Sequence, residues 1–204
     1  IDANWGQSTD IVYQFCRQST HSNLILPSHG RYVGASSKPM TEYRKKPGDR
    51  LGLNWMIPNV AGKRAIRHVI YDSNFWKSFI HARLAVALGD KSSLTFYGRA
   101  PLQHQLIAEH LTAEYRVKTA GRGRVVDEWK IRPQHNDNHF FDCLAGCAVC
   151  ASMLGATLPE FGNGTRMRKG AIKLSNKRGV SREAADGRIP GERIKLSEIR
   201  KSIR

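Results

Sequence analysis

The chain has 204 residues, enough for one domain with a buried core and a tail. Hydrophobic residues make up 40% and charged residues 25% of it, and no apolar run approaches the roughly 20 residues of a membrane span. The formal net charge of +16 favours a polyanionic partner, because basic surfaces gain affinity by releasing counterions from nucleic acid. No signal peptide is recognisable, so the four cysteines are expected to be reduced thiols in a cytoplasm.

The first part of the chain alternates between predicted strands and helices. The opening Ile-Asp is typical of a strand end whose earlier residues are missing, so we expect a fragment of a longer protein. A helix is predicted to begin at Ser8 or Thr9, a cap residue, with one apolar face formed by Ile11, Val12, Phe15 and Cys16. Strands are predicted at 23–27, 51–57 and 65–72, and the Gly-, Pro- and Lys-rich residues 34–50 are predicted to form a loop.

The alternation continues in the second part. Ser73 is predicted to cap a helix that Gly89 ends. The remaining elements are predicted as a strand at 93–97, a helix at 101–115, a GRGR turn, a strand at 125–132 and a helix from His139 to Leu154. This order predicts an α/β fold, and the sequence carries neither the glycine-rich dinucleotide-binding motif nor the P-loop of ATPases.

The composition changes near the carboxy terminus. From Arg166 onward the chain holds thirteen Lys and Arg against four Asp and Glu, about +9 of the total charge. Such a segment buries too little apolar surface to offset its ordering entropy. We therefore predict a folded body at 1–160 and a basic, extended, flexible arm at 161–204. Its last residues place Leu196, Ile199 and Ile203 at helical spacing, which favours docking on a protein, with DNA attraction secondary.

Three aspartates occupy comparable predicted positions. Asp2 ends the first strand, Asp72 ends the 65–72 strand, and Asp142 lies at the start of the last helix. Strand ends and helix starts meet at one edge of an open α/β sheet, where divalent cations would offset carboxylate repulsion. Oxygen ligands favour Mg²⁺ or Mn²⁺, and two such ions can activate water for phosphodiester hydrolysis. The spacing leaves an alternative open, in which these residues only form turns and a helix cap.

Cys143, Cys147 and Cys150 have the C-x3-C-x2-C spacing of radical S-adenosylmethionine enzymes, which bind an iron–sulfur cluster from a loop. We favour a buried helix, because the surrounding LAGCAVCASML is small and apolar. At about 100° per residue the three cysteines fall within roughly a 60° stripe of one helix, where they would act as small hydrophobes in the core. Asp142 is then the functional residue of this helix.

Three basic residues are candidates for contacts with a nucleic-acid backbone. Lys77, one turn beyond Asp72, would contact a phosphate or remain a solvated helix residue. Arg122 and Arg124 form a basic turn suited to a DNA backbone, although a solvated turn is equally compatible with the sequence.

Two further features have a structural and a functional interpretation. His135 and His139 with Asp137 could be metal ligands, but a polar loop beside a helix start is favoured. Trp5, close to Asp2, could form a lid, but a place in the core is favoured.

Four segments together resemble a known family: IDANWGQSTDIVYQFCR, VIYDSNFWKSFIHARLA, LTAEYRV and NHFFDCLAGCAVCAS. They are similar to the carboxy-terminal nuclease domain of large terminase subunits from lambda-like tailed bacteriophages, over most of residues 1–155. The resemblance implies an RNase H-like fold, with a mixed sheet flanked by helices, and a metal-dependent endonuclease acting on double-stranded DNA. The acids of the family pattern match Asp2, Asp72 and Asp142.

Two other positions follow from the resemblance. Glu114 matches an acid that the family carries in the helix before the final hairpin, and it becomes a further candidate metal ligand. His139 stands where the family often has Glu. If that Glu assists metal binding, His139 would alter the metal preference, or Glu114 would supply the carboxylate.

The resemblance also implies a biological setting. The domain would cut concatemeric phage DNA in the cytoplasm of the bacterial host, with two Mg²⁺ or Mn²⁺ ions as cofactors. Its partners would be double-stranded DNA, an amino-terminal ATPase domain of the full protein, the small terminase subunit and the capsid portal. Two alternatives stay open: another RNase H-like DNA enzyme, such as an integrase or a junction resolvase, and a basic nucleic-acid-binding module without catalysis.

Overall fold

A computed structural model describes residues 1–4, 6–60, 66–98, 100–134 and 137–156. Several predictions concern residues outside these ranges. They are the basic arm with its terminal helix, the domain boundary at 160, and the roles of Trp5 and His135.

The centre of the fold is a four-stranded mixed sheet. Its strands are β1 (Ser28–Arg31), β2 (Arg50–Gly52), β3 (Trp55–Ile57) and β4 (Val69–Asp72), in the spatial order β1-β4-β3-β2. β1 and β4 are parallel, whereas β3 is antiparallel to both β4 and β2. Asp2 extends the sheet beyond β1 through an isolated parallel bridge to Ser28. The mixed sheet of the predicted α/β fold is confirmed.

Helices and a separate hairpin complete the described part of the chain. The helices are α1 (Thr9–Gln18), α2 (Ser73–Leu84), α3 (Gln105–Thr112) and α4 (His139–Met153), with short 3₁₀ turns at Gly6–Ser8, Met40–Glu42 and Pro101–His104. The hairpin pairs β5 (Glu114–Gly121) with β6 (Arg124–Ile131). Its two-residue turn is possible because Arg122 and Gly123 both take left-handed backbone angles, φ +51° and +72°.

Two hydrophobic clusters meet on α4. The first packs Trp76 of α2 and two α4 residues against one face of the sheet; its buried members are Trp55, Ile57, Val69, Tyr71, Trp76, Ala145 and Val149. The second joins α2, α3 and the hairpin to the start of α4 and consists of Ile80, Leu111, Trp129 and Phe141. Each large apolar side chain buried this way contributes about 1.5–3 kcal/mol. The start of α4 is therefore held by α2, α3 and the hairpin, and its middle by the sheet.

The cysteine prediction was wrong about the direction of the stripe. Cys143, Cys147 and Cys150 share one face of α4 as predicted, but that face is exposed. The residues that α4 buries lie on another face and are Phe141, Ala145 and Val149. Because α4 is apolar or small on nearly every face, the sequence pattern could not show which stripe meets the core.

Three strand predictions also need correction. Residues 23–27 form a turn and an irregular segment, and the strand begins at Ser28. The predicted strand 51–57 is a hairpin, because Asn54 takes a left-handed conformation (φ +49°) that reverses the chain. Residues 93–97 form no strand, and Tyr97 is fully exposed instead of packing as a strand residue would.

The predicted helices have different ends and faces from those expected. In α1 only Cys16 is buried, whereas Ile11 and Phe15 are mostly exposed. The cap of α2 is Asp72 and not Ser73, because the Asp72 carboxylate accepts the Phe75 N–H at 3.1 Å. α2 ends at Leu84, before Gly89.

Glu114 was predicted to lie in a helix, but it lies in a strand. The helical pattern of 101–115 continues through it, yet α3 ends at Thr112 and Glu114 opens β5, opposite Ile131. An eight-residue antiparallel ladder extends back from the turn, and its backbone hydrogen bonds override the local helical pattern.

Candidate active site

A buried ion-pair cluster lies where α2, β5 and α4 meet. The Lys77 ammonium is 2.5 Å from Glu114 Oε1 and 2.8 Å from Asp142 Oδ1. The Asn138 side-chain amide donates a further hydrogen bond, 2.5 Å, to Glu114 Oε1. We call these four residues the Lys77 cluster; it ties the first turn of α4 to α2 and to the hairpin.

Burial within the Lys77 cluster is uneven. Lys77 and Glu114 are only 8% and 5% exposed, whereas the Asp142 side chain is 37% exposed. The Lys77 ammonium also lies 5.2 Å from the centre of the Phe141 ring. Lys77 is thus not the solvated helix residue that the sequence suggested, and its contact with a DNA phosphate stays a prediction.

The cluster carries one more negative than positive charge. Two carboxylates share one ammonium, and Asp142 is the more exposed of the two. Buried ion pairs gain from mutual attraction only when their geometry is good and other donors satisfy the remaining lone pairs. Glu114 meets that condition through Asn138, so Asp142 is the carboxylate best placed to accept a further cation.

Asp2 lies on the surface, beside β1 in the sheet. Its Oδ1 accepts the Asn4 backbone N–H at 3.1 Å. Burial and then the charges of Asp142 and Asp2 raise the pKa of Tyr71 above its ordinary value. Both charges also add to the effect of burial in raising the pKa of the Cys143 thiol. The charges of Asp2 and Asp142 therefore both act on Tyr71 and on Cys143.

Asp72 lies elsewhere. It follows Tyr71 in β4, so the two side chains point to opposite faces of the sheet. The register sets Asp2 level with Ser28 and Val69, three residues before Asp72 and two strands away. Strand geometry then puts the Cα atoms of Asp2 and Asp72 about 14 Å apart. At this separation the carboxylates of Asp2 and Asp72 are not in direct contact. A metal site shared by the three aspartates stays a prediction.

The surroundings of Asp72 form a cavity of about 420 Å³. Burial raises the pKa of Asp72 to about 6, although the N–H groups of Phe75 and Asn74 and the Arg124 charge act to lower it. Asp127 of β6 lines the same cavity, and its Oδ2 accepts from Ser78 at 3.3 Å. Asp127 was not among the predicted site residues. Its signal in the sequence is a charged residue within the predicted strand 125–132.

The two arginines of the hairpin turn differ in their contacts. Arg124 donates from Nη2 to the carbonyl oxygens of Gly34 and Ser37, at 2.7 and 2.5 Å. Arg122 is exposed at the turn itself. Arg124 thus anchors the loop after β1, and Arg122 is the freer of the two for a DNA backbone; both contacts stay predictions.

A hydrogen-bonded network that the sequence did not reveal supports the segment after Asp2. Asn4 donates to the Gly30 carbonyl at 2.7 Å, which turns its own amide oxygen toward His29 Nδ1, 2.8 Å away. His29 Nδ1 therefore donates, and Nε2 accepts from the Tyr13 hydroxyl at 2.9 Å. These residues are far apart in sequence, so no local pattern could have found the network.

The histidine candidates give little support for a metal centre. His139 Nε2 lies 3.5 Å from Asp137 Oδ1, and its ring lies 6.0 Å from that of His110. In the described part of the chain, no three His, Cys, Asp or Glu side chains are grouped closely enough to hold a metal ion. The effect of His139 in place of Glu on metal preference stays a prediction.

Comparison with known proteins places the chain in a family. The family model for the endonuclease domain of the terminase large subunit gpA matches residues 1–161. The chain belongs to this family. The predicted resemblance is confirmed, and the nuclease domain of this family is consistent with an RNase H-like fold.

Membership has consequences for function. A terminase nuclease domain has a nuclease role in DNA packaging, with DNA as substrate and a packaging complex as its setting. No curated protein and no solved structure gave a significant match. Among the described helices of this nuclease domain, none is long and apolar enough to cross a membrane.

Proposed function

We propose that this domain is a divalent-metal-dependent endonuclease that cuts concatemeric double-stranded phage DNA during packaging, with Asp142 and Asp2 as its principal metal ligands. The observation that carries the proposal is the partly exposed Asp142 carboxylate, which lies in the Lys77 cluster and whose charge acts, together with that of Asp2, on Tyr71. A phosphodiester backbone approaching these acids would need a cation between them.

Two carboxylates are enough for one such ion. Mg²⁺ is usually held by one or two carboxylates, several waters and substrate phosphate oxygens, so a pair fits this chemistry without a third acid. A bound ion would lower the pKa of a bound water and stabilise the leaving oxygen. In the metal-free protein the chain itself positions both carboxylates: the Asn4 N–H holds Asp2, and Lys77 holds Asp142.

The second ion expected from the resemblance stays a prediction, as does the ligand role of Asp72 and Glu114. Asp72 caps α2 about 14 Å from Asp2 by strand geometry. Glu114 is already bound by Lys77 and Asn138. A two-ion arrangement would need one of these carboxylates to change partners when DNA or metal binds.

The partners are proposed on the basis of the family. They are double-stranded DNA, an amino-terminal ATPase domain in the full protein, the small terminase subunit and the capsid portal, in the cytoplasm of a bacterial host. Within the domain we propose Arg122 as the first contact with the DNA backbone, because it is exposed at a tight turn.

One observation favours a second candidate, a nucleic-acid-binding domain whose acids are only structural. Asp72 caps α2 and Asp142 pairs with Lys77, so both carboxylates have roles in the fold. Divalent-dependent cleavage of DNA separates the two candidates. If an acid is only structural, replacing it without unfolding the domain does not change the cleavage rate.

The test is plasmid cleavage by the 204-residue chain and by Asp142→Asn, in Mg²⁺ and in Mn²⁺. Loss of groups that only support a metal ligand costs 10–100-fold, so loss of a ligand should reduce the rate by at least about 100-fold. Asp90→Asn is the matched control, since it removes one exposed negative charge from the bend after α2. Cleavage by Asp142→Asn at the rate of the control would contradict the proposal.

A further inference from the structure

We propose that Lys77 is an internal counter-cation of the metal site: its ammonium holds Asp142 when no divalent ion is bound and releases it when an ion binds. Lys77 is then a positioning residue that sets metal affinity, and not a contact to DNA. This inference rests on the proposed function, because it takes Asp142 as a metal ligand.

The geometry gives Lys77 two carboxylates to choose between. Its ammonium lies within hydrogen-bonding distance of Glu114 Oε1 and Asp142 Oδ1 at the same time, at 2.5 and 2.8 Å. An ammonium has three donors and can satisfy both. The Lys77 side chain is only 10% exposed and has little water to replace a lost partner, so Lys77 must keep at least one carboxylate.

The two carboxylates differ in how easily they can release Lys77. Glu114 is 5% exposed, and its oxygen Oε1 also accepts from Asn138. Asp142 is 37% exposed, so water can solvate its carboxylate. Release of Asp142 leaves Lys77 paired with Glu114 in a neutral, buried contact, whereas release of Glu114 would leave that carboxylate buried without its cation. Asp142 is therefore the partner that Lys77 gives up.

A divalent ion and the Lys77 ammonium compete for Asp142. The divalent ion and the Lys77 ammonium are both cations. They repel each other at Asp142, because water screens their charges only partly there. Metal binding must overcome the existing ion pair, so the pair weakens the measured affinity. It also prevents the carboxylates of Glu114 and Asp142 from repelling each other in the metal-free protein.

This arrangement predicts that Lys77→Met lowers the stability of the metal-free protein and raises its affinity for a divalent ion. Without metal the variant is less stable, because the buried Glu114 loses its cation and Asp142 loses its partner. The variant binds the divalent ion more tightly than wild type, because the competing Lys77 ammonium is absent. A purely structural lysine would lower both stability and affinity, so the opposite signs identify the counter-cation role. Lys77→Arg keeps the charge and should bind metal close to wild type.

The experiment measures thermal midpoints and Mn²⁺ dissociation constants for the 204-residue chain and for Lys77→Met, Lys77→Arg and Asp142→Asn. We expect Lys77→Met to have a lower midpoint without metal and a dissociation constant about tenfold lower, the scale of effects from residues that support a ligand. Lys91→Met is the matched control, because it removes the same charge from an exposed loop. An affinity of Lys77→Met equal to or weaker than that of the control would overturn the inference.

The remaining outcomes separate this inference from the proposed function. If Asp142→Asn still binds Mn²⁺ like wild type, the ligand assignment fails, and the inference fails with it. If Asp142→Asn loses binding but Lys77→Met is unchanged, only the inference fails. Should Lys77→Met not fold without metal, Mn²⁺ is expected to restore folding, and failure to fold in both conditions would contradict the inference.

Discussion

Asp72 and Asp142 are both aspartates at the start of a helix, and both were predicted to be metal ligands. In the structure Asp72 is 8% exposed, caps α2 and borders a cavity together with Arg124 and Asp127. Asp142 is partly exposed and pairs with Lys77, and its charge acts with that of Asp2 on Tyr71. An aspartate at a helix start therefore stabilises the fold when it is buried and caps the helix. It is a candidate metal ligand when its carboxylate is partly exposed and lies in a cluster with more carboxylates than cations.

The largest expected effect that tests this comparison is a pH-dependent change in the free energy of unfolding, caused by Asp72. Its pKa is raised by burial from 3.8 to about 6, so the folded state binds the proton more tightly than the unfolded chain. The free energy of unfolding then falls as the pH rises from about 4 to about 6, and ionisation costs about 3 kcal/mol at pH 7. Asp72→Asn keeps a good helix cap without the charge. We expect it to raise the free energy of unfolding at pH 7 by up to that amount and to equal wild type near pH 3.

Urea denaturation of both proteins across this pH range is the measurement. Asp72→Ala is the control for capping, because it removes the charge and the cap together and should be about 1 kcal/mol less stable than Asp72→Asn at every pH. A wild-type protein that gains stability relative to Asp72→Asn as the pH rises would show that a cation, and not burial, dominates around Asp72.

The smallest expected effect is at the cysteine stripe. Cys147 is exposed on the face of α4 away from Phe141, Ala145 and Val149. Cys147→Ser should therefore change the free energy of unfolding by less than about 0.5 kcal/mol, as surface substitutions usually do. Val149→Ala is the matched comparison within the same helix, and it should cost clearly more because Val149 is 1% exposed. Equal losses for the two variants would mean that the stripe packs against the core after all.

The sequence could predict those features that depend on local patterns. Helical periodicity and a final glycine located α4 and hence Asp142, and an apolar run ending in aspartate located β4. It failed where distant residues decide the structure. Glu114 continues a helical pattern but pairs with Ile131 in a strand, and α4 is apolar on more than one face, so the buried stripe could not be chosen.

The Lys77 cluster was beyond prediction for the same reason. Lys77 is 37 residues from Glu114 in sequence, and no local signal marks a contact between α2 and β5. The sequence suggested a solvated lysine because a single charge in a helix is usually exposed. Only packing of α2 against α4 and the hairpin gives Lys77 its two carboxylates.

Mn²⁺ binding to four proteins tests the central claim most directly, that Asp142 and Asp2 together form the metal site and Asp72 lies apart from it. Isothermal titration of the wild-type chain, Asp2→Asn, Asp72→Asn and Asp142→Asn gives the number of ions bound and their affinities. We expect the tightest ion to be lost in Asp2→Asn and in Asp142→Asn and to be kept in Asp72→Asn. Loss of that ion in Asp72→Asn, together with normal binding by Asp142→Asn, would contradict the account.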